Sequence, residues 1–188
     1  PKKIIRLGQI LLVLGALLLI GAINPELKGP LFGFGMFMLG GGLGLLASQI
    51  GNVTMSSVGD SQSSEVGGLQ GTAQNLGSSL GTAVIGSVLI ASLTTGFITN
   101  VSQNNDIPAS VQSSVQEQAT VGIPIVSVSD VEAAATEAGL NESEAESITN
   151  DYESAQIDGL KEAMFFIMVI GLGSMIFSRN IPNKKVAS

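Results

Sequence analysis

The sequence predicts an all-α membrane protein with four transmembrane helices and a helical hairpin loop outside the membrane. Three features of its 188 residues predict this fold: 45% are apolar, only 12% are charged, and 24 are glycine. Soluble globular domains carry about 25% charged residues, so a soluble fold is not expected. The glycines lie inside apolar stretches, which is typical of membrane helices that pack closely.

Four apolar stretches are long enough to cross the bilayer, whose hydrocarbon core of about 30 Å needs about 20 apolar residues. The predicted spans are residues 7–23, 31–50, 80–98 and 160–178. The first three occupy the region 1–98, where residues 24–30 form a turn that contains two prolines. The third helix is expected to begin near Glu65, well before its apolar part.

The basic residues indicate how the chain is oriented. Six of the eight lie at the two ends of the chain: Lys2, Lys3, Arg6, Arg179, Lys184 and Lys185. An even number of spans places both ends on one side, and positive charge favours the cytoplasmic side. We expect an integral protein of a bacterial or archaeal plasma membrane, with both ends cytoplasmic and residues 179–188 as a basic tail.

The segment 99–159 differs in charge from the rest of the chain. It holds 11 acidic residues and no Lys or Arg, whereas the remaining residues include 4 acidic and 8 basic ones. Because it follows the third span, we expect it outside the cytoplasm. Loops longer than about 15 residues usually have structure or a function, and this one is predicted to fold as a helical hairpin.

Local patterns place the helices of this loop. Residues 129–132, Ser-Asp-Val-Glu, fit a capping box, Gly139 fits the left-handed residue that ends a helix, and a second helix is expected from Asn141, with Glu144 three residues later. The faces expected to pack are Val131, Ala134, Ala135 and Ala138 in the first helix and Ala145, Ile148, Tyr152 and Ala155 in the second. A further short helix is predicted within residues 106–119, with Val111 and Val115 one turn apart.

Five polar residues near the spans are candidates for the lining of a pathway or gate: Ser48, Gln49, Asn52, Gln70 and Gln74. The first three are expected at the cytoplasmic end of the second span, and the two glutamines lie one turn apart at the start of the third helix. Amides in hydrocarbon need hydrogen-bond partners, so they should face protein or water. Hydrogen bonding between helices, or exposure at the interface, is the simpler explanation and the one we favour.

Seven glycines, most of them repeating at intervals of four, are candidates for helix packing: Gly40, Gly44, Gly67, Gly71, Gly77, Gly81 and Gly86. This spacing lets neighbouring backbones approach closely, in helices that move against each other or in static contacts. We expect Gly81→Leu to disturb the packing of the third span by about 1 to 3 kcal/mol.

The composition excludes several functions. The chain has no Cys and no His, which removes thiolate nucleophiles, imidazole bases and zinc sites with N or S ligands. We expect no enzyme activity, no cofactor and no nucleic acid partner. We also expect no metal site, since the acidic loop lacks EF-hand spacing. The first three spans hold no carboxylate, and Glu162 beside Lys161 is expected to pair at the membrane interface rather than carry protons.

Three stretches resemble a known family. GLGLLASQIGN at residues 42–52, GGLQGTAQNLG at 67–77 and SLGTAVIG at 79–86 resemble the C-terminal part of the major facilitator superfamily, and more narrowly its fourteen-span branch of drug:proton antiporters. The long acidic loop and the basic tail extend the resemblance over the whole chain. Because the sequence begins at Pro1 and not at Met, the expectation is a C-terminal fragment with spans eleven to fourteen.

This resemblance implies a function and its partners. The implied function is proton-coupled export of lipophilic or cationic compounds, with the proton gradient as the energy source and the proton-carrying acids in the missing part. The implied partners are the lipid bilayer, the ten N-terminal spans of the same protein and a small lipophilic or cationic substrate. Two alternatives stay open: an autonomous four-span protein whose acidic exterior loop has a binding or structural role, and a related carrier for a metabolite or siderophore.

Overall fold

The structure, a computed structural model, describes residues 2–24, 28–56 and 58–180, apart from the side chains of Asp60, Val121 and Asn180. The helices of this part of the chain are α1 (Lys2–Ala22), α2 (Pro30–Met55), α3 (Ser63–Gln103), α4 (Ala109–Gln118), α5 (Val128–Glu137) and α6 (Glu142–Phe177). Short 3₁₀ helices lie at Asp60–Gln62, Ala119–Val121 and Ser178–Asn180. Pro1, residues 25–27 of the predicted turn, and the basic residues Lys184 and Lys185 lie outside the described residues.

Four of these helices, α1, α2, α3 and α6, are long and apolar enough to cross a membrane. This confirms the prediction of an all-helical protein with four helices of that kind. α1 and α2 have 21 and 26 residues, close to the length that a bilayer requires, but α3 has 41 and α6 has 36. α3 begins at Ser63, two residues before the predicted start near Glu65.

α6 joins two elements that the sequence predicts as separate helices, the second loop helix and the fourth span. Gly159 lies between them without breaking the helix, and its bare face allows α3 to come close. A Cβ placed on Gly159 would lie 3.3 Å from the Leu93 backbone nitrogen. The chain forms two compact units, one of residues 1–84 and 164–188 and one of residues 85–163, and each is described by itself below.

In the first unit, α1 packs against α2 through glycines. A Cβ on Gly15 would lie 2.8 Å from the Leu39 nitrogen and 3.0 Å from the Gly35 oxygen. A Cβ on Gly42 would lie 2.8 Å from the Gly8 oxygen. These distances are too short for any side chain, so the two backbones approach as closely as they do only because these positions are glycine. Gly8 and Gly15 of α1 are seven residues apart, and so are Gly35 and Gly42 of α2. Each pair therefore lies on one face of its helix.

The last part of α6 belongs to the same unit as α1. A Cβ on Gly171 would lie 3.2 Å from Val13 Cγ2, which shows that α6 passes close to α1. The Lys2 Nζ donates a hydrogen bond of 2.6 Å to the Arg179 carbonyl oxygen. The described beginning of α1 and the 3₁₀ helix after α6 therefore lie next to each other.

The second unit has its own apolar core. Its buried residues are Leu93, Phe97, Val101, Ile107, Ala135, Ala145, Ile148, Tyr152 and Ala155. Four of them form the predicted packing face of the second loop helix, which is thereby confirmed, and Val111 and Val115 of the short helix pack against them. Leu93 and Phe97 are in the stretch predicted as the end of the third span, so that part of α3 also builds the core of this unit.

Tyr152 holds an extended segment against this core. Its hydroxyl donates to the Pro124 oxygen at 3.0 Å and accepts from the Val126 nitrogen at 2.9 Å. Its ring meets Phe97 edge to face, with centroids 5.5 Å apart and planes at 84°. The hydroxyl thereby satisfies backbone groups that form no helix.

The caps of the loop helices agree with the sequence in two places and differ in one. Asn141 and Glu144 form the expected reciprocal cap: the Asn141 nitrogen donates to Glu144 Oε2 at 2.9 Å and the Glu144 nitrogen to Asn141 Oδ1 at 3.0 Å. Gly139 has a φ of +83° after α5, as expected. The capping box at residues 129–132 is wrong, because Ser127 caps α5 and Asp130 is its partner. An Asp three residues after a Ser closes the same pair of hydrogen bonds as a Glu.

Candidate functional site

A cleft in the first unit contains two of the five predicted pathway residues. It has a volume of about 410 Å³ and is lined by Ala47, Ile50, Thr54, Val66, Leu69, Gln70, Ala73 and Gln74. Gln70 and Gln74 point into it from one face of α3, as their spacing of four predicts. The Gln70 Oε1 is buried and accepts no hydrogen bond from the described residues. Since such an oxygen favours a donor, the cleft combines an apolar wall with a polar group that can accept a hydrogen bond.

The other three predicted pathway residues lie elsewhere on α2. Ala47, Ile50 and Thr54 form the α2 wall of the cleft. Ser48 and Asn52 are exposed, and Gln49 Nε2 donates to Ser48 Oγ at 3.2 Å. The structure therefore brings Gln70 and Gln74 together but does not bring them to Ser48, Gln49 or Asn52.

The predicted packing glycines face mostly open space. A Cβ on Gly67 would lie 3.2 Å from Met55 Cε, but a Cβ on the other six would meet no heavy atom of the described chain within 4 Å: Gly40, Gly44, Gly71, Gly77, Gly81 and Gly86. Their role in packing stays a prediction. Sequence reasoning missed the glycines that do pack within it, although the shared spacing of seven in α1 and α2 is a signal for them.

A buried polar contact was also missed. Gln9 is 6% exposed, and its Nε2 donates to Ser174 Oγ at 3.0 Å. Ser174 in turn donates to the Gly171 oxygen at 2.7 Å, while Gln9 Oε1 is buried and accepts nothing from the described residues. A lone amide in the first apolar stretch is the signal that could have found it, since an amide in hydrocarbon must pair.

We expect the Gln9 and Ser174 contact to be worth about 0.6 kcal/mol, the average for side-chain hydrogen bonds in a membrane bundle, and at most about 1.7 kcal/mol. Ser174→Ala should lower the free energy of unfolding by that amount in wild type, because the Gln9 amide then loses its partner. In a Gln9→Leu background the same change should have almost no effect. Unfolding in mixed micelles measures all four variants, and an equal cost of Ser174→Ala in both backgrounds would contradict the contact.

The second unit presents a row of carboxylates on one face of α6. Asp151, Asp158 and Glu162 are seven and four residues apart, which places them on the same side of the helix. Asn104, the residue that follows α3, donates from Nδ2 to Asp151 Oδ2 at 2.9 Å. At the other end of the row, Ser92 Oγ of α3 donates to Glu162 Oε2.

The predicted behaviour of Glu162 needs one correction. The Lys161 Nζ pairs with Asp158 Oδ1 at 3.3 Å and not with Glu162, which lies on the α3 side of α6 where Ser92 reaches it. Glu162 and Asp158 line a polar groove of about 390 Å³ together with Ser92, Thr95, Thr99 and Asn100. Glu162 accepts a hydrogen bond from Ser92 and Asp158 accepts one from Lys161. Only Asp158 is therefore paired with a cation.

No group of three or more acidic side chains suited to a metal ion occurs among the described residues. Comparison of the chain with models of protein families, with curated proteins and with solved structures finds no match.

Proposed function

We propose that this chain is the C-terminal part of a secondary transporter that exports lipophilic or cationic compounds in exchange for protons. The main support is α3, which is long and apolar enough to span a membrane but exposes polar groups over its first half. Gln74, Asn75, Ser78 and Ser79 are all exposed. In hydrocarbon these groups must meet other protein or water, so α3 is suited to face further helices and a water-filled pathway.

The open glycines support the same proposal. Gly71, Gly77 and Gly81 lie on the surface of α3 and leave room for another backbone. They belong to the stretches that resemble drug:proton antiporters, and a carrier of that kind has helices on both sides of its pathway. The missing N-terminal spans are the proposed neighbours of this surface.

The proposed orientation follows from charge. Both described ends of the first unit carry basic residues, and these ends lie side by side through Lys2 and Arg179. The positive-inside tendency places them in the cytoplasm, with the acidic segment 99–159 outside. Since the first three spans have no carboxylate, the proton-carrying acids are assigned to the preceding helices.

The test is transport by the longer protein in inside-out membrane vesicles. With an imposed proton gradient, we expect uptake of a fluorescent lipophilic cation, which a protonophore abolishes. Gly81→Leu should abolish uptake, because it fills the face proposed to meet the missing helices. In the 188-residue chain alone the cost of about 1 to 3 kcal/mol expected from the sequence should be absent, since nothing described lies within 4 Å of a Cβ at Gly81.

Two outcomes would contradict the proposal. Uptake that does not respond to the gradient would exclude proton exchange as the energy source. A start codon directly upstream of Pro1, instead of further hydrophobic segments, would favour the autonomous four-span protein. The separate apolar core of the second unit is the observation that supports this second candidate, because a folded acidic unit can bind a partner without any transport.

A further inference from the structure

Basic residues of α1 and of the segment after α6 lie next to each other at one end of the first unit. The Lys2 Nζ donates to the Arg179 carbonyl oxygen at 2.6 Å. Further along the same two helices, Gln9 Nε2 donates to Ser174 Oγ at 3.0 Å. α1 and α6 therefore run side by side in opposite directions, and the two contacts fix their register. The basic residues that meet at this end form the basic patch: Lys2, Lys3, Arg6 and Arg179.

The positive charge of the basic patch is not neutralised by the side chains around it. Lys3, Arg6 and Arg179 are exposed, and the first two lie three residues apart on one face of α1. Within residues 2–24, 28–56 and 58–180, none of these three forms an ion pair with a carboxylate. The first unit holds seven of the eight basic residues of the chain but only three of its acidic ones: Glu26, Asp60 and Glu65. The patch therefore favours a partner with negative charge.

Apolar side chains are exposed directly beside the basic patch. Leu7 is 50% exposed and Ile10 is 42% exposed, and both continue the face of α1 that begins at Lys3, four and seven residues earlier. At the end of α6, Phe177 is 81% exposed, two residues before Arg179. Both helices are long and apolar enough to cross a membrane. The patch therefore lies where the apolar surface of two such helices ends.

This combination of a charged end and an adjoining apolar face matches the chemistry of a phospholipid. A phosphate headgroup carries the negative charge that the basic side chains favour, and basic pockets between membrane helices bind such headgroups. Acyl chains fit the exposed apolar face beside it. A water-soluble phosphate would contact only the basic side chains and leave the apolar face uncovered, so the lipid is the better match.

We propose that the basic patch is a binding site for an anionic phospholipid, between α1 and the end of α6. Lys3 and Arg6 of α1, together with Arg179, donate hydrogen bonds to the phosphate oxygens, while an acyl chain lies along the apolar face of α1. Lys2 is a positioning residue, because its bond to the Arg179 carbonyl oxygen holds the two helix ends together. The proposal goes beyond the transport function, since this site needs neither further helices nor a proton gradient.

The test titrates the whole 188-residue chain in a nonionic detergent and counts bound lipids by native mass spectrometry. Phosphatidylglycerol is the anionic probe, and phosphatidylcholine with the same acyl chains is the uncharged match. We expect saturable binding of phosphatidylglycerol, about tenfold or more tighter than that of phosphatidylcholine and weakened by a higher concentration of ammonium acetate. Equal binding of the two lipids would overturn the proposal. So would displacement of the lipid by an excess of glycerol 3-phosphate, because the site would then be one for a free phosphate.

Matched variants locate the site. Lys3→Gln and Arg6→Gln each remove one positive charge from the basic patch, and together they should weaken phosphatidylglycerol binding about tenfold or more. Lys28→Gln removes the same charge beyond the other end of α1 and should leave the affinity unchanged. All three side chains are exposed, so the variants should keep the fold. Helicity and the affinity for phosphatidylcholine report whether each of them does.

The result is interpreted separately from transport. Weaker phosphatidylglycerol binding in the Lys3→Gln, Arg6→Gln double variant, with helicity and phosphatidylcholine binding unchanged, supports the site. Full binding by this double variant, or an equal loss in Lys28→Gln, overturns it, because binding would then depend on other residues or on net charge alone. Lipid binding by a chain whose longer form fails to transport would contradict the proposed function and leave this site in place.

Discussion

Phe97→Ala is expected to destabilise the second unit by about 3 to 5 kcal/mol, the usual cost of removing a buried aromatic side chain. Phe97 is 6% exposed and gives the edge-to-face partner of Tyr152. Its loss leaves a cavity beside Tyr152, which is 1% exposed. The core contains residues of α3, α6 and the loop segments, so we expect the whole unit to unfold at a lower denaturant concentration.

The measurement uses a probe that the sequence provides. Tyr152 is the single Tyr and the chain has no Trp, so tyrosine fluorescence during denaturation in detergent follows the second unit specifically. Phe165→Ala is the control, because Phe165 is 56% exposed on α6 and belongs to the first unit. A Tyr152 transition at the same denaturant concentration in both variants would show that Phe97 is not a core residue.

Gly42→Leu is expected to separate α1 from α2 and to cost about 3 kcal/mol, at the upper end of the usual range for overpacking. A Cβ at this position would lie 2.8 Å from the Gly8 oxygen and 2.9 Å from the Leu12 nitrogen. Both are backbone atoms, which cannot move aside as the end of a flexible side chain can. The helices must therefore shift apart as whole bodies.

The neighbouring residue gives a matched control. A Cβ on Gly41 meets no heavy atom of the described residues within 4 Å, so Gly41→Leu should leave the stability of this chain almost unchanged. Unfolding followed by helicity in mixed micelles compares the two variants. If both cost the same, the loss arises from changing any glycine of α2 and not from contact with α1.

The local rules predicted the end of α5 and the beginning of α6 because their signals are short-range. The Asn141 and Glu144 cap involves hydrogen bonds across one helical turn, and Gly139 has the backbone conformation that glycine adopts without cost. The same rules misplaced the first cap by two residues. Ser127 with Asp130 and Ser129 with Glu132 both satisfy the pattern, and the choice depends on where Tyr152 holds the segment before α5.

Partners far apart in sequence could not be predicted in this way. Gln9 and Ser174 are 165 residues apart, and each by itself is only a polar residue in an apolar stretch. The glycine intervals of four indicated faces that this chain leaves open, whereas Gly15 and Gly42 pack because of the register of α1 against α2. Glu162 pairs with Ser92 rather than Lys161 for the same reason: its direction depends on the position of α3.

The sequence by itself determined that the chain is helical, that four stretches are apolar and long enough to span a membrane, and that the acidic residues are concentrated in one segment. These properties depend on composition and on contacts within one or two turns. The tertiary structure decided which glycines touch, which amide is buried and where the basic patch forms, because each of these requires two helices to meet at one register.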